Sequence, residues 1–408
     1  MQTYKKKNKS RNFLLYICYY QQIIIFLQKK MKKIVYVVGG LVGVSGMNAI
    51  LCRKINYLAC HTNYDIYMIL TEKAGVPWSL EVNPKVKWVN FDINFDELDT
   101  MPTLKKVYFY YLKQRKYKRL FSNYLMEIRP DITVSALRRE INFINNIKDG
   151  SKKIGELHFE RTLYRRFNNP HLPLFINNYI TRIWTNSLIK NLKKLDKFVV
   201  LTHEDFKKWP ELNNKMVIPN FIEVYHGDLA TLENTSAIAV GRYTWQKGFD
   251  LLIEAWSFVN KSHPEWTLNI YGPGDKSFYQ ELIDKKGLAN SITCHSSTPK
   301  INEKYKENSF LVFSSRYEGF GLVLAEAMSV GLPAVSFACP CGPSDIITHM
   351  KDGILIENGN IQKLSEGICY IIENPHIRQS MGTQAHLKAQ TFYPNRIMRQ
   401  WIELFECL

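Results

Sequence analysis

The stretch Phe310-Leu311-Val312-Phe313-Ser314-Ser315-Arg316-Tyr317-Glu318-Gly319-Phe320-Gly321-Leu322-Val323-Leu324-Ala325-Glu326-Ala327-Met328 carries most of the signal for the fold. Phe310 to Phe313 is a short apolar run that reads as a buried strand. A turn bearing Gly319 and Gly321 follows, then a short helix that ends at Gly331-Leu332-Pro333. Two carboxylates, Glu318 and Glu326, stand with seven residues between them inside this apolar frame. A buried carboxylate is costly unless it is paired or given a ligand. Strand, glycine turn and helix also gather free backbone N–H groups and the positive helix end in one place, which suits a phosphate. Either acid alone is equally explained by a solvated loop or a cap on a neighbouring element. It is their company that points to a ligand site.

Upstream, Ser236-Ala237-Ile238-Ala239-Val240 is a second apolar strand that runs into Gly241-Arg242-Tyr243-Thr244-Trp245-Gln246-Lys247-Gly248-Phe249-Asp250. A helix begins there, with Asp250 as the expected N-cap. Arg242 and Lys247 therefore stand between the carboxyl end of a strand and a helix, the crevice where ligands bind in open α/β sheets. A guanidinium fork beside an ammonium suits a diphosphate. The alternation continues with strands at 266–271, 291–294 and 333–337, separated by the turn Gly272-Pro273-Gly274-Asp275 and by helices at 276–286 and 302–308. Strands alternating with helices predict βαβ units and a parallel sheet. No G-x-G-x-x-G follows the opening strand of this half, so a dinucleotide fingerprint is absent from it.

Gly241-Arg242 with Lys247-Gly248, then Gly272-Pro273-Gly274, then Glu318-Gly319-Phe320-Gly321 through Glu326, resemble the donor half of a GT-B glycosyltransferase of the retaining family-four type, with its E-x7-E signature. Ile218-Pro219-Asn220 matches that family's interdomain segment. The resemblance implies an α/β fold of two Rossmann-like domains facing each other across a cleft, with the last helix crossing back to the first domain. It implies that Arg242 and Lys247 hold the donor diphosphate and offset charge on the leaving nucleotide. Glu326 would accept the ribose hydroxyls and Glu318 would meet the donor sugar, helped by the amides of Gly319, Phe320 and Gly321. The loops at Gly272–Gly274 and His295–Thr298 would bracket the base. The donor would be a nucleotide sugar, UDP-linked, used without a further cofactor. The acceptor would be a hydroxyl of a glycan or lipid-linked oligosaccharide in capsule, exopolysaccharide or lipopolysaccharide assembly.

Charge is unevenly distributed along the 408 residues. Residues 226–408 hold 16 Lys and Arg against 19 Asp and Glu, and the totals of 54 and 37 leave 38 against 18 for residues 1–225. A half with net charge +20 attracts phosphate chains or an anionic membrane. None of the standard nucleic-acid modules is visible, so nucleic acid is not the expected partner. The densest run, Lys105 to Phe121, has seven cations and no acid, with interleaved aromatics. It suits a helix lying in a lipid interface, Tyr and Phe inserted and Lys and Arg at the headgroups; a solvated helix with its aromatics turned inward is the alternative. The expected location is cytoplasmic, peripheral on the inner face of a bacterial membrane. The eight cysteines form no C-x-x-C pair and no zinc spacing, which predicts reduced thiols. No D-x-D triplet occurs, so no metal clamp is expected on the nucleotide.

In the first half, Met31-Lys32-Lys33-Ile34-Val35-Tyr36-Val37-Val38 reads as the opening strand of a Rossmann-like domain. A glycine-rich turn through Gly46 and a helix to Cys60 come next. The resemblance places Gly46 across the cleft from the donor phosphates. Lys153 to Glu160 reads as a strand with His158 near its end, and the resemblance puts that histidine beside the donor sugar. Residues 1–30, basic and then apolar, are too interrupted for a membrane span of about 20 residues and read as an extension ahead of the domain. The expected organisation is this extension at 1–30, an acceptor domain at 31–212, a donor domain at 213–390 and a terminal helix at 391–408. Two rival functions remain open, a GT-B nucleotide-sugar epimerase and a non-catalytic glycan- or nucleotide-binding protein.

Overall fold

The computed structural model describes residues 31–42, 46–162, 164, 167, 169 and 173–408. The extension at 1–30 lies outside them. Two wholly parallel sheets organise the chain. The first contains β1 (Lys33–Val37), β2 (Asp65–Leu70), β3 (Lys87–Asn90), β4 (Ile132–Ser135), β5 (Lys152–Glu156), β6 (Lys197–Val200) and β7 (Lys215–Val217), in the order β3-β2-β1-β4-β5-β6-β7. The second contains β8 (Ser236–Val240), β9 (Thr267–Tyr271), β10 (Ile292–His295), β11 (Phe310–Phe313), β12 (Ala334–Phe337) and β13 (Gly353–Ile356), in the order β10-β9-β8-β11-β12-β13. Parallel strands covered by helices on both faces lose their polar/apolar alternation. Accordingly β4, β11 and β12 are buried along their whole lengths.

The helices that matter for the cleft are α1 (Gly46–His61), α2 (Thr103–Ile128), α3 (Leu174–Leu192), α4 (His203–Lys207), α5 (Phe249–Ser262), α6 (Leu322–Ser329), α7 (Pro343–Ile346) and α8 (Pro394–Cys407). Each sheet reverses its strand order once, between β1 and β4 and between β8 and β11. At such a switch point the flanking loops diverge and leave a crevice beyond the carboxyl ends of the strands. The second half of the chain builds one apolar core around its sheet. The first sheet is covered by one apolar cluster on each face. α8 joins the first lobe although it follows the second sheet in sequence. Its Ile397, Met398, Trp401, Leu404 and Phe405, spaced for one helix face, are buried against Ile34, Tyr36, Ile50 and Ile55.

Several boundaries differ from the sequence expectation. β5 ends at Glu156 rather than Glu160, so His158 lies in the loop beyond the strand. The short helix α4 stops at Lys207. Pro210 follows closely, and a residue before proline is pushed out of the helical region. In α2 the basic and aromatic run divides. Tyr117 and Phe121 turn inward and are fully buried, whereas Val107, Tyr108 and Tyr111 stay exposed. Among the described residues no helix is long and apolar enough to cross a membrane.

Candidate active site in the cleft

The second lobe supplies an ion pair at its switch point. Trp245 to Lys247 form a single tight turn after β8. Gly248 closes it with φ +63° and serves as the N-cap of α5, the place expected for Asp250. Glycine is needed there twice over, because the backbone is left-handed and a β-carbon would strike the carbonyl oxygen of Ser314. Asp250 instead sits inside the first turn and holds both guanidinium nitrogens of Arg316, at 2.8 and 2.6 Å. Lys247 folds back over Gly241, and its Nζ lies 2.6 Å from Oε1 of Glu318. Their side chains are 13% and 9% exposed, so the pair is screened from bulk water yet open to the cleft. Arg242, two residues beyond the end of β8, is exposed.

The backbone around this pair is closely packed. Gly272 abuts the carbonyl of Gly241, and the Glu318 amide donates to the carbonyl of Pro340 at 3.1 Å. Phe320 buries its ring edge-on against Phe392, which leaves only its backbone for a ligand. Gly321 caps α6 with φ +91°. Glu326, on α6, lies 4.0 Å from Nη1 of Arg53 on α1, and Arg53 also meets Glu223 at 3.2 Å. Burial, reinforced by Glu223, pushes the Glu326 carboxyl above its ordinary value; Arg53 and Lys247 only partly oppose this. Glu326 is thus an acid short of positive charge. At the ends of β9 and β10, the His295 ring stacks on Tyr271 at 4.2 Å and meets Asn269 Oδ1 at 2.9 Å.

The first lobe meets this loop directly. A β-carbon on Gly319 would strike the carbonyl oxygen of His158, so the two lobes touch backbone to backbone at that point. His158 is buried, and its Nε2 lies 3.2 Å from Oε1 of Glu156. The same oxygen accepts from Lys54 Nζ of α1, and both of those side chains are completely buried. Burial alone would raise the Glu156 carboxyl, but the Lys54 ammonium and then the His158 ring outweigh it and hold it at about 2. Burial lowers the Lys54 ammonium, against the pull of Glu156. The ring of Trp401 in α8 lies 4.7 Å from Lys54 Nζ. A second seam runs alongside, where Asp345 of α7 accepts from the His203 amide at 2.8 Å and Glu204 accepts from the Cys341 amide at 2.8 Å.

Lys247, Glu318, Gly319 and His158 are brought together, whereas Glu326 faces Arg53 and feels Lys247 electrostatically. Gly46 opens α1, and among the described residues nothing lies within 4 Å of where a β-carbon on it would stand. Sequence reasoning missed Arg53, Lys54 and Glu156. The one signal for them was a glutamate two residues before a histidine at the end of an apolar strand, together with two cations inside a helix otherwise apolar on that side.

Comparison with known proteins agrees with this geometry. Residues 228–388 match the family described as glycosyl transferases group 1. An uncharacterized glycosyltransferase of Haemophilus influenzae is 31% identical over 53% of this chain and 64% of its own length. The amylovoran biosynthesis glycosyltransferase AmsD of Erwinia amylovora is 30% identical over 51% of this chain and 62% of its own length. The poly(ribitol-phosphate) alpha-N-acetylglucosaminyltransferase of Staphylococcus aureus is 28% identical over 53% and 45%. The chain therefore spans less than two thirds of the length of these relatives. Among solved structures, TarM superposes with a TM-score of 0.72 over 92% of this chain and 99% of its own, at 18% identity. Anabaena HepE, solved with UDP-glucose, superposes with a TM-score of 0.67 over 92% and 100%, at 16% identity. Residues 228–388 thus carry a likeness to glycosyl transferases group 1, and the two sheets with their helices have the GT-B fold.

Proposed function

We propose that this protein is a retaining glycosyltransferase that moves a sugar from a nucleotide diphosphate, UDP-linked, to a hydroxyl of a glycan or lipid-linked acceptor during cell-surface polysaccharide synthesis. The observation that carries the proposal is the convergence of Lys247, Glu318 and the His158 loop where the two lobes touch. A diphosphate entering the cleft competes with Glu318 for Lys247 and draws on Arg242 as its second cation. Glu318, released in part, accepts from the sugar hydroxyls, and the charge-deficient Glu326 accepts from the ribose. The bond from the anomeric carbon to the phosphate oxygen breaks as the acceptor oxygen bonds to the same face of that carbon. The acceptor proton passes to the departing phosphate oxygen. Arg242 and Lys247 offset the charge that develops there, in a site partly shielded from water. In this reading these cations and the N-terminus of α6 balance the diphosphate charge without a metal. The basic first lobe holds the acceptor, and the exposed face of α2 with Val107, Tyr108 and Tyr111 rests on an anionic membrane surface. In this reading the enzyme is peripheral on the cytoplasmic face.

Three assays on the same protein test this. UDP release is measured across a panel of UDP-sugars, with and without lipid-linked oligosaccharide. Acceptor-dependent release from one sugar is the expected result. Conversion of the donor sugar to its epimer without acceptor would replace the reading by an epimerase, and UDP binding without turnover would replace it by a binding protein.

A further inference from the structure

Lys54, Glu156 and His158 form a buried charged row of which the proposed chemistry uses only the last member. Lys54 and Glu156 are both fully buried, 102 positions apart in sequence, and they join α1 to the end of β5. A buried ion pair contributes little net stability, since well-packed apolar residues of similar volume often serve as well or better. Stability therefore does not account for the pair, but its position offers a reason. Glu156 is the last residue of β5, two residues before His158, whose carbonyl touches Gly319 of the other lobe. Oε1 of Glu156 faces both Lys54 and the His158 ring, while Glu156 Oε2 and His158 Nε2 are buried without an aligned hydrogen bond. A carboxylate at one ring nitrogen selects the tautomer and the orientation of an imidazole.

We infer that Glu156, kept ionised by Lys54, is the positioning residue for His158: it engages Nε2 and leaves Nδ1 as the nitrogen presented to the donor sugar. The inference rests on the proposed function, in which His158 borders that sugar. Lys54 supplies the countercharge from α1, and Trp401 covers it from α8, so the terminal helix takes part in setting the histidine. The carboxylate approaches from the end of β5, two positions before the histidine.

The test uses the full chain and the UDP-sugar that the donor panel shows to be turned over. Glu156→Gln keeps shape and volume but removes the charge. It is expected to lower turnover about 10- to 100-fold, the loss typical when an orienting partner is removed. The affinity for UDP itself should stay within about twofold, since the nucleotide is held by the other lobe. His158→Ala should lose at least as much, and the double variant His158→Ala with Glu156→Gln should be no worse than His158→Ala alone, because one residue acts through the other. Additive losses, or full turnover in Glu156→Gln, would overturn the inference. Ring nitrogen resonances of 15N-histidine-labelled protein give a readout independent of activity. The His158 signals, assigned by their absence from His158→Ala, should show Nε2 protonation in the native protein and a mixed tautomer in Glu156→Gln. If no UDP-sugar is turned over, the proposed function fails, and the ring signals alone decide the positioning role. If Glu156→Gln does not fold, Lys54→Met with Glu156→Leu removes both charges together; unchanged ring signals in that variant would equally overturn the inference.

Discussion

A lysine–glutamate pair of the second lobe and one of the first lie near the cleft, and these two pairs differ in kind. Lys247 and Glu318 keep 13% and 9% of their side chains accessible, whereas Lys54 and Glu156 keep none. A pair at the rim can exchange partners, so a diphosphate can take the lysine while a sugar takes the acid. A pair out of water cannot, because separating its members leaves an uncompensated buried charge. Similar residues thus serve binding in one lobe and geometry in the other, and depth selects between the two roles.

The largest expected effect breaks the locked pair. Lys54→Met leaves Glu156 ionised and alone, and should cost about 3–5 kcal/mol in urea denaturation. Lys54→Met combined with Glu156→Leu should regain most of it. A cost under about 1 kcal/mol would mean that the depth contrast between the pairs is unreal. Breaking the rim pair should act on chemistry instead. Lys247→Ala is expected to reduce turnover about 10²- to 10³-fold, as when a charge-stabilising donor is removed, with little change in melting temperature. Near-normal turnover would refute the diphosphate clamp.

The turn that carries Lys247 gives a finer contrast between the lobes. Gly248→Ala forces a side chain into a left-handed position against the Ser314 carbonyl, and should cost about 1–3 kcal/mol in the same denaturation assay. Turnover should fall with it, since Lys247 is displaced. An alanine variant of native stability would show that the turn is not held by its backbone.

The smallest effect in ordinary buffers appears only in acid. Glu156 titrates at about 2 in the folded chain, below the ordinary value of 4.5. Its contribution is thus fully present above the ordinary carboxylate range and is lost as pH falls from 4.5 towards 2. Stability measured against pH should fall less steeply across that window in the variant with Lys54→Met and Glu156→Leu than in the native chain. Parallel curves would mean that Glu156 is not held ionised by its partners.

The second lobe is largely legible in the order of its amino acids. Its strands are continuous apolar runs, and its turns carry glycine and proline at the points where the chain reverses. The candidate residues Arg242, Lys247 and Glu318 lie within a few positions of those turns, so motif spacing points to them, and the structure brings Lys247 and Glu318 together. The partner of Lys247 is not legible, because 71 positions separate it from Glu318. In the first lobe, β3 and β7 are short and half polar and leave little periodic signal. The run from Lys105 to Phe121 looks uniformly interfacial, yet tertiary packing draws Tyr117 and Phe121 into the core.

Local sequence was enough for the alternation of strand and helix, the glycine-bearing turns and the place of the cleft acids and cations, because these follow from short-range periodicity and backbone freedom. That Lys54 neutralises Glu156 beneath His158, and that Trp401 of the terminal helix covers Lys54, emerged only once the lobes were folded. Those contacts depend on sheet order and on which charges are cut off from water, and no short stretch of chain encodes either.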